Sequence, residues 1–354
     1  MIIKVGILGA GRVAKHYEYI LNKYNFKNCK IVGVADINVN NAKSISKKLH
    51  CKYYSSLEEM TQNHQLNLIL ILTPSGLHFS HVKNALGKNI NVLVEKPISM
   101  KPIEIKKLIT LSDKKKLLLA VAFQNRLNPA ILFARDILKR KKLGKIISSS
   151  VRLRWCRLQE YYNDDWHGTW YMDGGVLNQQ AIHHIDAINL LLGPVKSVSS
   201  SSANRVNILE AEDTIVSILR MSDGSLSTFE ATTAARPKDI EASLSITGDK
   251  GYINISGIAL NEIIDIKYIG QKKQSKVISK KHSEKVPNGY GLSHRFLIEG
   301  IIKKLNGKNN NNVVYAKDCI STTELVHAIY KSNEDNKWQH LSDNPLSSKL
   351  GVKK

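Results

Sequence analysis

Cysteine is scarce in this 354-residue chain, which contains four cysteines that lie far apart. They are Cys29, Cys51, Cys156 and Cys319, and no two of them form a Cys-x-x-Cys pair. Such spacing indicates neither a disulfide framework nor a zinc site. We therefore predict a protein without a bound metal.

Long hydrophobic runs are also missing. No apolar stretch approaches the roughly 20 residues that a membrane-spanning helix needs. The first ten residues carry no charged segment ahead of an apolar run, and their apolar stretch leads directly into a glycine turn, so they do not resemble a signal peptide. The sequence predicts a cytoplasmic protein with no membrane span.

Acidic residues are few relative to basic ones. The chain has 30 Asp and Glu and 52 Lys and Arg, which gives a formal net charge of +22. A charge of this size suits a nucleic-acid-binding protein. The basic residues are mostly dispersed lysines, however, and no basic stripe is interleaved with aromatic residues. We predict no nucleic-acid partner, although the positive field would help to gather an anionic small substrate.

Up to Phe123, predicted strands and helices alternate with short links, and a chain of this length suits about two domains. The alternation predicts an α/β domain with a parallel sheet over residues 1–123. The predicted strands are 2–8, 31–35, 66–72, 91–94 and 117–123. The predicted helices are 13–21, 40–49, 57–60, 78–86 and 103–115.

Beyond Phe123 the alternation stops and strand-like segments dominate. Turn signals such as Ser222-Asp223-Gly224 separate them. The pattern predicts an α+β domain over residues 124–340, with a large, mostly antiparallel open sheet, and then a loosely held polar tail over 341–354. The predicted strands are 145–155, 195–204, 212–221, 226–233, 241–247 and 251–255, and the predicted helices are 129–141, one after Gly174-Gly175, and 319–331.

The first strand is followed by a Gly-x-Gly-x-x-Ala motif that opens a helix, which is the context of a dinucleotide-binding turn. Gly9 permits the tight turn, Gly11 lets a pyrophosphate approach the backbone, and Ala14 lets the helix pack close to the sheet. Phosphates would lie at the helix N-terminus, where free N–H groups favour negative charge. The motif predicts that the first domain is a Rossmann domain.

Asp36 ends the second strand, where a carboxylate accepts hydrogen bonds from ribose hydroxyls and repels a 2′-phosphate. NAD is therefore favoured over NADP, although Arg12 could offset the repulsion and keeps NADP as an alternative. Ligands of open α/β sheets bind at the carboxyl ends of the strands. The predicted cofactor-binding residues of this domain are Gly9, Gly11, Arg12, Val13, Asp36, Thr73, Pro74, His78, Glu95 and Lys96.

Two segments carry candidate catalytic residues. Glu95-Lys96-Pro97 ends a strand at the ligand-binding edge, and partial burial beside a positive nicotinamide would lower the pKa of Lys96, so that it could accept a proton or donate a hydrogen bond. A helix that begins near Asn178 would place Gln179, His183 and Asp186 on one face and His184 on another.

Together these three motifs resemble the glucose–fructose oxidoreductase / inositol dehydrogenase / MocA family, over essentially the whole chain. The resemblance implies that Lys96 and His183 act at the reacting hydroxyl. Many family members carry an aspartate four residues before that histidine, where this chain has Gln179, which cannot act as a base. The proton would then pass to His183 or Lys96.

Within the family, residues 166–186 are most similar to the NAD-dependent 3-dehydrogenases of UDP-N-acetyl-glucosaminuronic acid from O-antigen and capsule synthesis. Trp166-His167-Gly168-Thr169-Trp170, Asp173-Gly174-Gly175-Val176-Leu177 and Ala181-Ile182-His183-His184-Ile185-Asp186 carry this resemblance. That subgroup usually has Asn where this chain has Gln179. The resemblance implies that Trp166 and Trp170 lie near nicotinamide and substrate, or pack beneath the loop.

The sequence therefore predicts an NAD-dependent dehydrogenase that oxidises a ring hydroxyl, at C3, of a nucleotide-linked amino-sugar or its uronate, for lipopolysaccharide synthesis. The sugar would lie between the domains, with Asp186 orienting His183. The resemblance also implies that the second domain binds the substrate and that its open sheet forms the oligomer interface. Family members are often tetramers, so a homo-oligomer is expected. The predicted substrate residues are Lys96, Arg154, Asn178, Gln179 and His183, and Arg126 is a further candidate.

Three alternatives stay open. An NADPH-dependent ketosugar reductase would run the reverse reaction on the same fold. Another sugar or inositol dehydrogenase of this fold would take a different substrate. A non-catalytic NAD-binding regulator would bind the cofactor without turning over any sugar.

Overall fold

The computed structural model describes residues 1–353. Within this range the chain forms two compact units: the first joins Met1–Gln124 to Leu292–Ile320, and the second joins Asn125–Gly291 to the residues from Ser321 onward. The first junction lies one residue from the predicted boundary. Residues 292–320, which the sequence assigned to the second domain, belong to the first unit instead, because contacts between distant parts of the chain decide their place.

Helices occur in both units, and local capping explains where several of them start. Asn38 accepts a hydrogen bond from the N–H of Asn40 (3.1 Å), and Ser56 accepts one from the N–H of Glu59 (3.1 Å), so each begins a helix as an N-cap. The helices are α1 (Arg12–Lys23), α2 (Val39–Lys48), α3 (Leu57–Asn63), α4 (His78–Gly87), α5 (Pro102–Lys115), α6 (Pro129–Lys139), α7 (Val176–Gln179), α8 (Ile182–Leu192), α9 (Ser275–His282), α10 (His294–Leu305) and α11 (Ile320–Asp335).

The first unit contains a six-stranded parallel sheet in the order β3-β2-β1-β4-β5-β6. Its strands are β1 (Ile3–Leu8), β2 (Cys29–Ala35), β3 (Lys52–Tyr54), β4 (Leu68–Ile71), β5 (Asn91–Val94) and β6 (Leu119–Val121). The central strand β4 is buried along its whole length, as parallel strands covered on both faces are. This confirms the predicted α/β fold. The sequence missed β3, since three residues are too few to show an apolar run.

The second unit contains an eight-stranded sheet in the order β13-β12-β11-β7-β10-β9-β8-β14, antiparallel except for the pair β7 and β10. Its strands are β7 (Ile146–Arg154), β8 (Val195–Ala203), β9 (Thr214–Met221), β10 (Leu226–Thr232), β11 (Glu241–Gly248), β12 (Gly251–Ser256), β13 (Glu262–Tyr268) and β14 (Gln339–His340). The predicted mostly antiparallel sheet is confirmed, with the edge strands β13 and β14 as additions.

One face of this larger sheet remains open within the chain. In β9, Ile215 and Leu219 are fully buried, whereas the alternating Val216 and Ile218 are about half exposed. This alternation follows from the two-residue period of a strand. It leaves apolar side chains exposed on the outer face of the sheet.

The predicted loose tail is wrong for the part that the structure describes. Residues 341–343 form a 3₁₀ turn, and the side chain of Leu350 is fully buried. The polar composition of this segment concealed its apolar contact. In residues 1–353, no helix has the length and apolarity to cross a bilayer, and no group of His, Cys, Asp or Glu is arranged to hold a metal ion.

Candidate active site

The glycine turn joins β1 to α1, and its two glycines, Gly9 and Gly11, have different surroundings. Gly9 has a φ of +98°, and a Cβ there would lie 2.7 Å from the carbonyl of Leu72. A Cβ on Gly11, by contrast, would meet no protein atom within 4 Å. Gly9 is thus required by the protein itself, whereas Gly11 leaves open space beside the N-terminus of α1. That space suits a dinucleotide phosphate, which the free N–H groups of the helix would hold.

Asp36 fixes the glycine turn at the carboxyl end of β2. Its Oδ2 accepts the N–H of Ala10 (2.6 Å), and its Oδ1 accepts the N–H of Asn38 (2.7 Å). Each carboxylate oxygen can accept more than one hydrogen bond, so capacity for ribose hydroxyls remains. The residues of this turn therefore fit NAD, which supplies the hydride acceptor when it is bound.

His78 connects two of the predicted cofactor loops at the same sheet edge. Its Nε2 lies 2.7 Å from the carbonyl oxygen of Thr73, which follows β4, and its Nδ1 lies 2.6 Å from that of Pro97, which follows β5. The ring is almost fully buried. Its position indicates a structural role in holding these loops rather than direct contact with a ligand.

Glu95 forms the centre of a buried polar cluster next to Lys96. Its Oε1 accepts the Tyr17 hydroxyl (2.8 Å) and lies 3.4 Å from Nε2 of His294, while Oε2 accepts the N–H of Lys96 (3.2 Å). Burial raises the pKa of Glu95, but hydrogen bonding and charge from His294, the charge of Lys96 and the Tyr17 hydroxyl outweigh it and lower that pKa to about 2. Glu95 is thus a carboxylate at neutral pH.

Sequence reasoning missed Tyr17 and His294 as parts of this cluster. Tyr17 has the helical spacing of a core residue in α1, which hides its polar contact. His294 is the first residue of α10 and belongs to the segment 292–320, far along the chain. No local pattern linked it to Glu95. The one available indication was that a histidine, His294, begins a helix.

In the second unit, the predicted single helix from Asn178 is interrupted. Helix α7 begins two residues earlier, at Val176, and ends at Gln179, and α8 starts only at Ile182. The break separates Gln179 from the regular helical spacing to His183 that the sequence implied. His183 and Asp186 keep their spacing within α8.

The two adjacent histidines of α8 have different environments. His183 is partly exposed, whereas His184 is 1% exposed. Both ring nitrogens of His184 lack a hydrogen-bond partner, and burial lowers its pKa to about 4. His184 is therefore a neutral core residue, and His183 is the histidine that a substrate can reach.

The predicted role of Asp186 in orienting His183 is not what the structure shows. Its two oxygens accept a fork of hydrogen bonds from Nε and Nη2 of Arg126 (2.7 and 2.6 Å), and Thr322 donates a third (2.8 Å). This buried pair also occupies the guanidinium of Arg126, a further substrate candidate in the sequence. The spacing of His183 and Asp186 could not reveal partners on other elements.

Arg154, predicted to bind substrate, makes a similar fork within the sheet. Its Nε and Nη2 donate to the two oxygens of Glu230 (2.6 and 2.7 Å), and its Nη1 lies 3.7 Å from Glu241. The Nε and Nη2 side of the guanidinium is therefore already occupied by a bidentate carboxylate. Only its remaining N–H groups are left for a ligand.

Residues 164–175, called here the tryptophan loop, hold the two predicted tryptophans in different settings. The Trp166 ring lies 3.6 Å from the ring of His167, whose Nδ1 is 2.6 Å from Asp164. The Trp170 ring packs edge-on against Tyr330 at 5.1 Å. Trp170 therefore packs against Tyr330 and Trp166 against His167, and both tryptophans remain partly exposed.

A buried carboxyl group supports the start of α7. Oε1 of Glu212 accepts the N–H of Leu177 (3.0 Å) and the hydroxyl of Tyr330 (2.9 Å), and Oε2 has no partner. Burial raises the pKa of Glu212 to about 7. No local pattern in the sequence indicates this contact. Nearby, Asn178 donates to the carbonyl of Asp173 (2.7 Å), so its amide also holds the turn.

Each unit thus gathers its own set of predicted site residues. In the first unit, Gly9, Asp36, Thr73 and Glu95 follow β1, β2, β4 and β5, so they share the carboxyl edge of the sheet. Parallel sheets bind dinucleotides at this edge. In the second unit, Asn178, Gln179 and His183 lie on or beside α7 and α8. This arrangement defines a dinucleotide-dependent oxidoreductase.

Comparison with known proteins identifies the family. Residues 3–123 match the model of an oxidoreductase family with an NAD-binding Rossmann fold, and residues 131–254 match the GFO/IDH/MocA C-terminal domain. The chain belongs to the GFO/IDH/MocA oxidoreductase family, as its motifs predicted. NAD as cofactor and the class of NAD-dependent dehydrogenase are likewise confirmed.

Three relatives are similar to this chain. The WlbA dehydrogenase of Chromobacterium violaceum, solved with NADH and UDP-GlcNAcA, is 28% identical with a TM-score of 0.87, covering 96% of this chain and 95% of the other. The WlbA dehydrogenase of Bordetella pertussis, solved with the same ligands, is 27% identical with a TM-score of 0.89, covering 96% and 97%. The UDP-N-acetylglucosamine 3-dehydrogenase of Acidithiobacillus ferrooxidans is 25% identical over 134 residues, 38% of this chain and 41% of the relative.

Replacing Gly11 by alanine tests the cofactor site. We expect the folded protein to keep its melting temperature, because the added methyl group meets no protein atom, and to lose NAD affinity at least about tenfold, because that methyl group occupies the space for the phosphates. Titration of NAD by calorimetry measures the loss. Gly87→Ala, also free of contacts, is the control. Unchanged affinity would mean that the phosphates do not lie at this turn.

Proposed function

We propose that this protein is an NAD-dependent dehydrogenase that oxidises a ring hydroxyl, at C3, of a nucleotide-linked amino-sugar or its uronate. The observation that carries the proposal is the similarity to two dehydrogenases solved with NADH and UDP-GlcNAcA, which extends over both units of the chain. The name of the Acidithiobacillus relative supports position 3. A role in surface polysaccharide synthesis belongs to the same proposal.

The proposed chemistry assigns a role to each candidate residue. The partly exposed imidazole of His183 takes the proton of the reacting hydroxyl. The Lys96 ammonium donates a hydrogen bond to the same oxygen and holds it in place. The ionised Glu95 accepts the N–H of Lys96 and so fixes its backbone. Gln179 contributes hydrogen bonds but no base, and Trp166 contributes an aromatic surface.

A substrate panel tests this function. The protein with NAD and UDP-N-acetylglucosaminuronic acid, UDP-N-acetylglucosamine, UDP-glucose or free N-acetylglucosamine is followed by absorbance of NADH at ~340 nm. We expect turnover with the acetamido UDP-sugars and none with the free sugar, since the nucleotide supplies binding energy for orientation. Turnover limited to the free sugar would contradict the proposal. A measured preference for NADPH with a keto-sugar would favour the reductase.

We also propose that the open face of the larger sheet forms a homo-oligomer interface. Val216, Ile218 and Leu226 are about half exposed there, on the adjacent strands β9 and β10. Their cross-strand partners on the same face are Arg220, Thr228 and Glu230, so this face mixes apolar and polar side chains, as protein interfaces do. Sedimentation equilibrium measures the mass in solution, and a monomer would contradict this proposal. The cytoplasmic location stays a prediction from the sequence.

A further inference from the structure

Residues 347–351, called here the strap, connect helix α11 to the tryptophan loop within the second unit. On the helix side, the Ser347 N–H donates to Nδ1 of His327 (3.1 Å). The Ser347 hydroxyl and the Ser348 N–H donate to the two oxygens of Glu334 (2.5 and 2.9 Å). The Leu350 N–H donates back to the Ser347 hydroxyl (3.1 Å). The strap is thus anchored by several side chains rather than lying loosely on the surface.

On the other side, the strap contacts the tryptophan loop. The Leu350 side chain is fully buried, and its Cδ1 lies 3.0 Å from the place of a Cβ on Gly174. The Gly351 N–H donates to the carbonyl of Trp170 (2.9 Å), and Nζ of Lys349 lies 5.6 Å from the Trp170 ring. An apolar contact, a backbone hydrogen bond and a cation–π contact therefore converge on one loop.

This loop leads directly into the residues proposed to meet the substrate. Gly174 has a φ of +75°, and a Cβ on it would lie 2.8 Å from Cβ of Asn178. The Asn178 amide in turn donates to the carbonyl of Asp173. A displacement at Leu350 would therefore pass through Gly174 to Asn178 and the start of the α7–α8 segment.

We propose that the strap is a positioning element, which holds the tryptophan loop and the start of α7 in the arrangement that binds the sugar, with Leu350 as its central residue. It touches neither substrate nor cofactor in this proposal, and it acts through Gly174 and Trp170. The expected effect of the strap on sugar turnover rests on the proposed dehydrogenase function. Its expected effect on the order of the tryptophan loop does not.

The test uses the full chain and compares Leu350 of the strap with Leu346, which lies just before the strap. Leu350→Ala removes the buried contact, whereas Leu346→Ala changes a side chain that is 56% exposed. We expect kcat/KM for the UDP-sugar to fall at least about tenfold in Leu350→Ala, because small misplacements of orienting groups reduce rates strongly. Leu346→Ala should match the wild type, and the volume-conserving Leu350→Met should restore most of the activity.

Hydrogen exchange separates this role from general stability and needs no substrate. The N–H groups of Asp173 and Gly174 donate to the carbonyl of Thr169 (3.1 and 2.8 Å). We expect them to exchange at least about tenfold faster in Leu350→Ala, while amides of the buried stretch 325–329 of α11 keep their protection. Equal loss of protection in α11, or wild-type exchange in the loop, would overturn the proposal. If no sugar is turned over by the wild type, the proposed function fails and exchange alone decides on the strap.

Discussion

Lys96→Ala is expected to lower kcat for sugar oxidation on the order of 10²- to 10⁴-fold without unfolding the protein. In our proposal the ammonium group holds the reacting oxygen while the proton and the hydride leave. The Lys96 charge contributes to the low pKa of Glu95, but Glu95 also accepts the Lys96 N–H, which alanine retains, and the Tyr17 hydroxyl. Tyr17 and His294 therefore remain in place, and the fold around β5 should persist.

Steady-state kinetics with NAD and the best UDP-sugar of the panel measures this loss. Lys107 lies at an exposed position of α5, so Lys107→Ala is the matched control and should leave kcat unchanged. NAD affinity should change by less than about threefold, since we expect the glycine turn and Asp36 to hold the pyrophosphate and the ribose. Near-normal kcat in Lys96→Ala would remove this lysine from the mechanism.

The adjacent histidines of α8 provide an internal comparison for the same prediction. His183→Ala should lower kcat by a similar factor and leave the melting temperature nearly unchanged, since His183 is partly exposed. His184→Ala should do the reverse, because it empties a fully buried position of the core. If both variants lose stability alike while kcat per folded molecule is kept, His183 is not the proton acceptor.

How far the sequence predicts this molecule depends on the range of the contacts involved. The glycine turn, Asp36 and Glu95-Lys96-Pro97 each follow a buried strand, and in a parallel sheet that position alone brings them to one edge. Local periodicity therefore sufficed for most of the parallel sheet and for the shared edge at which these predicted cofactor residues lie. It could not place α10, since His294 joins Glu95 across about 200 residues of chain.

Charged residues of the second unit show the opposite case. Arg126 and Arg154 look available for an anion in the sequence, yet their forks are occupied by Asp186 and Glu230. Neither partner is a helical neighbour of its arginine, so no spacing rule could pair them. Likewise, composition predicted a loose segment after residue 340, and one buried leucine, Leu350, was enough to anchor it.

Gly175→Ala is expected to destabilise the protein by about 3 kcal/mol or more, because overpacking against an immobile backbone cannot relax. A Cβ on Gly175 would lie 2.1 Å from Oε2 and 2.3 Å from the backbone oxygen of Glu212. The carboxylate could rotate away, but the backbone oxygen accepts the N–H of Val176 (3.0 Å) and is held between the sheet and the start of α7. The φ of Gly175 is −102°, so the cost is one of contact and not of backbone conformation.

Urea unfolding followed by circular dichroism measures the loss, and Gly87→Ala, whose methyl group meets no atom, should stay within about 1 kcal/mol of the wild type. A double variant separates the two overlaps. Because Glu212→Ala itself removes the acceptor of Leu177 and Tyr330, Gly175→Ala is measured both in the wild type and in Glu212→Ala. The backbone oxygen remains in both, so we expect Gly175→Ala to cost about the same in each, and a much smaller cost in Glu212→Ala would show that the side chain of Glu212 alone requires glycine here. The start of α7 could then move enough to admit a methyl group, and the turn before His183 would be less rigid than the buried contact implies.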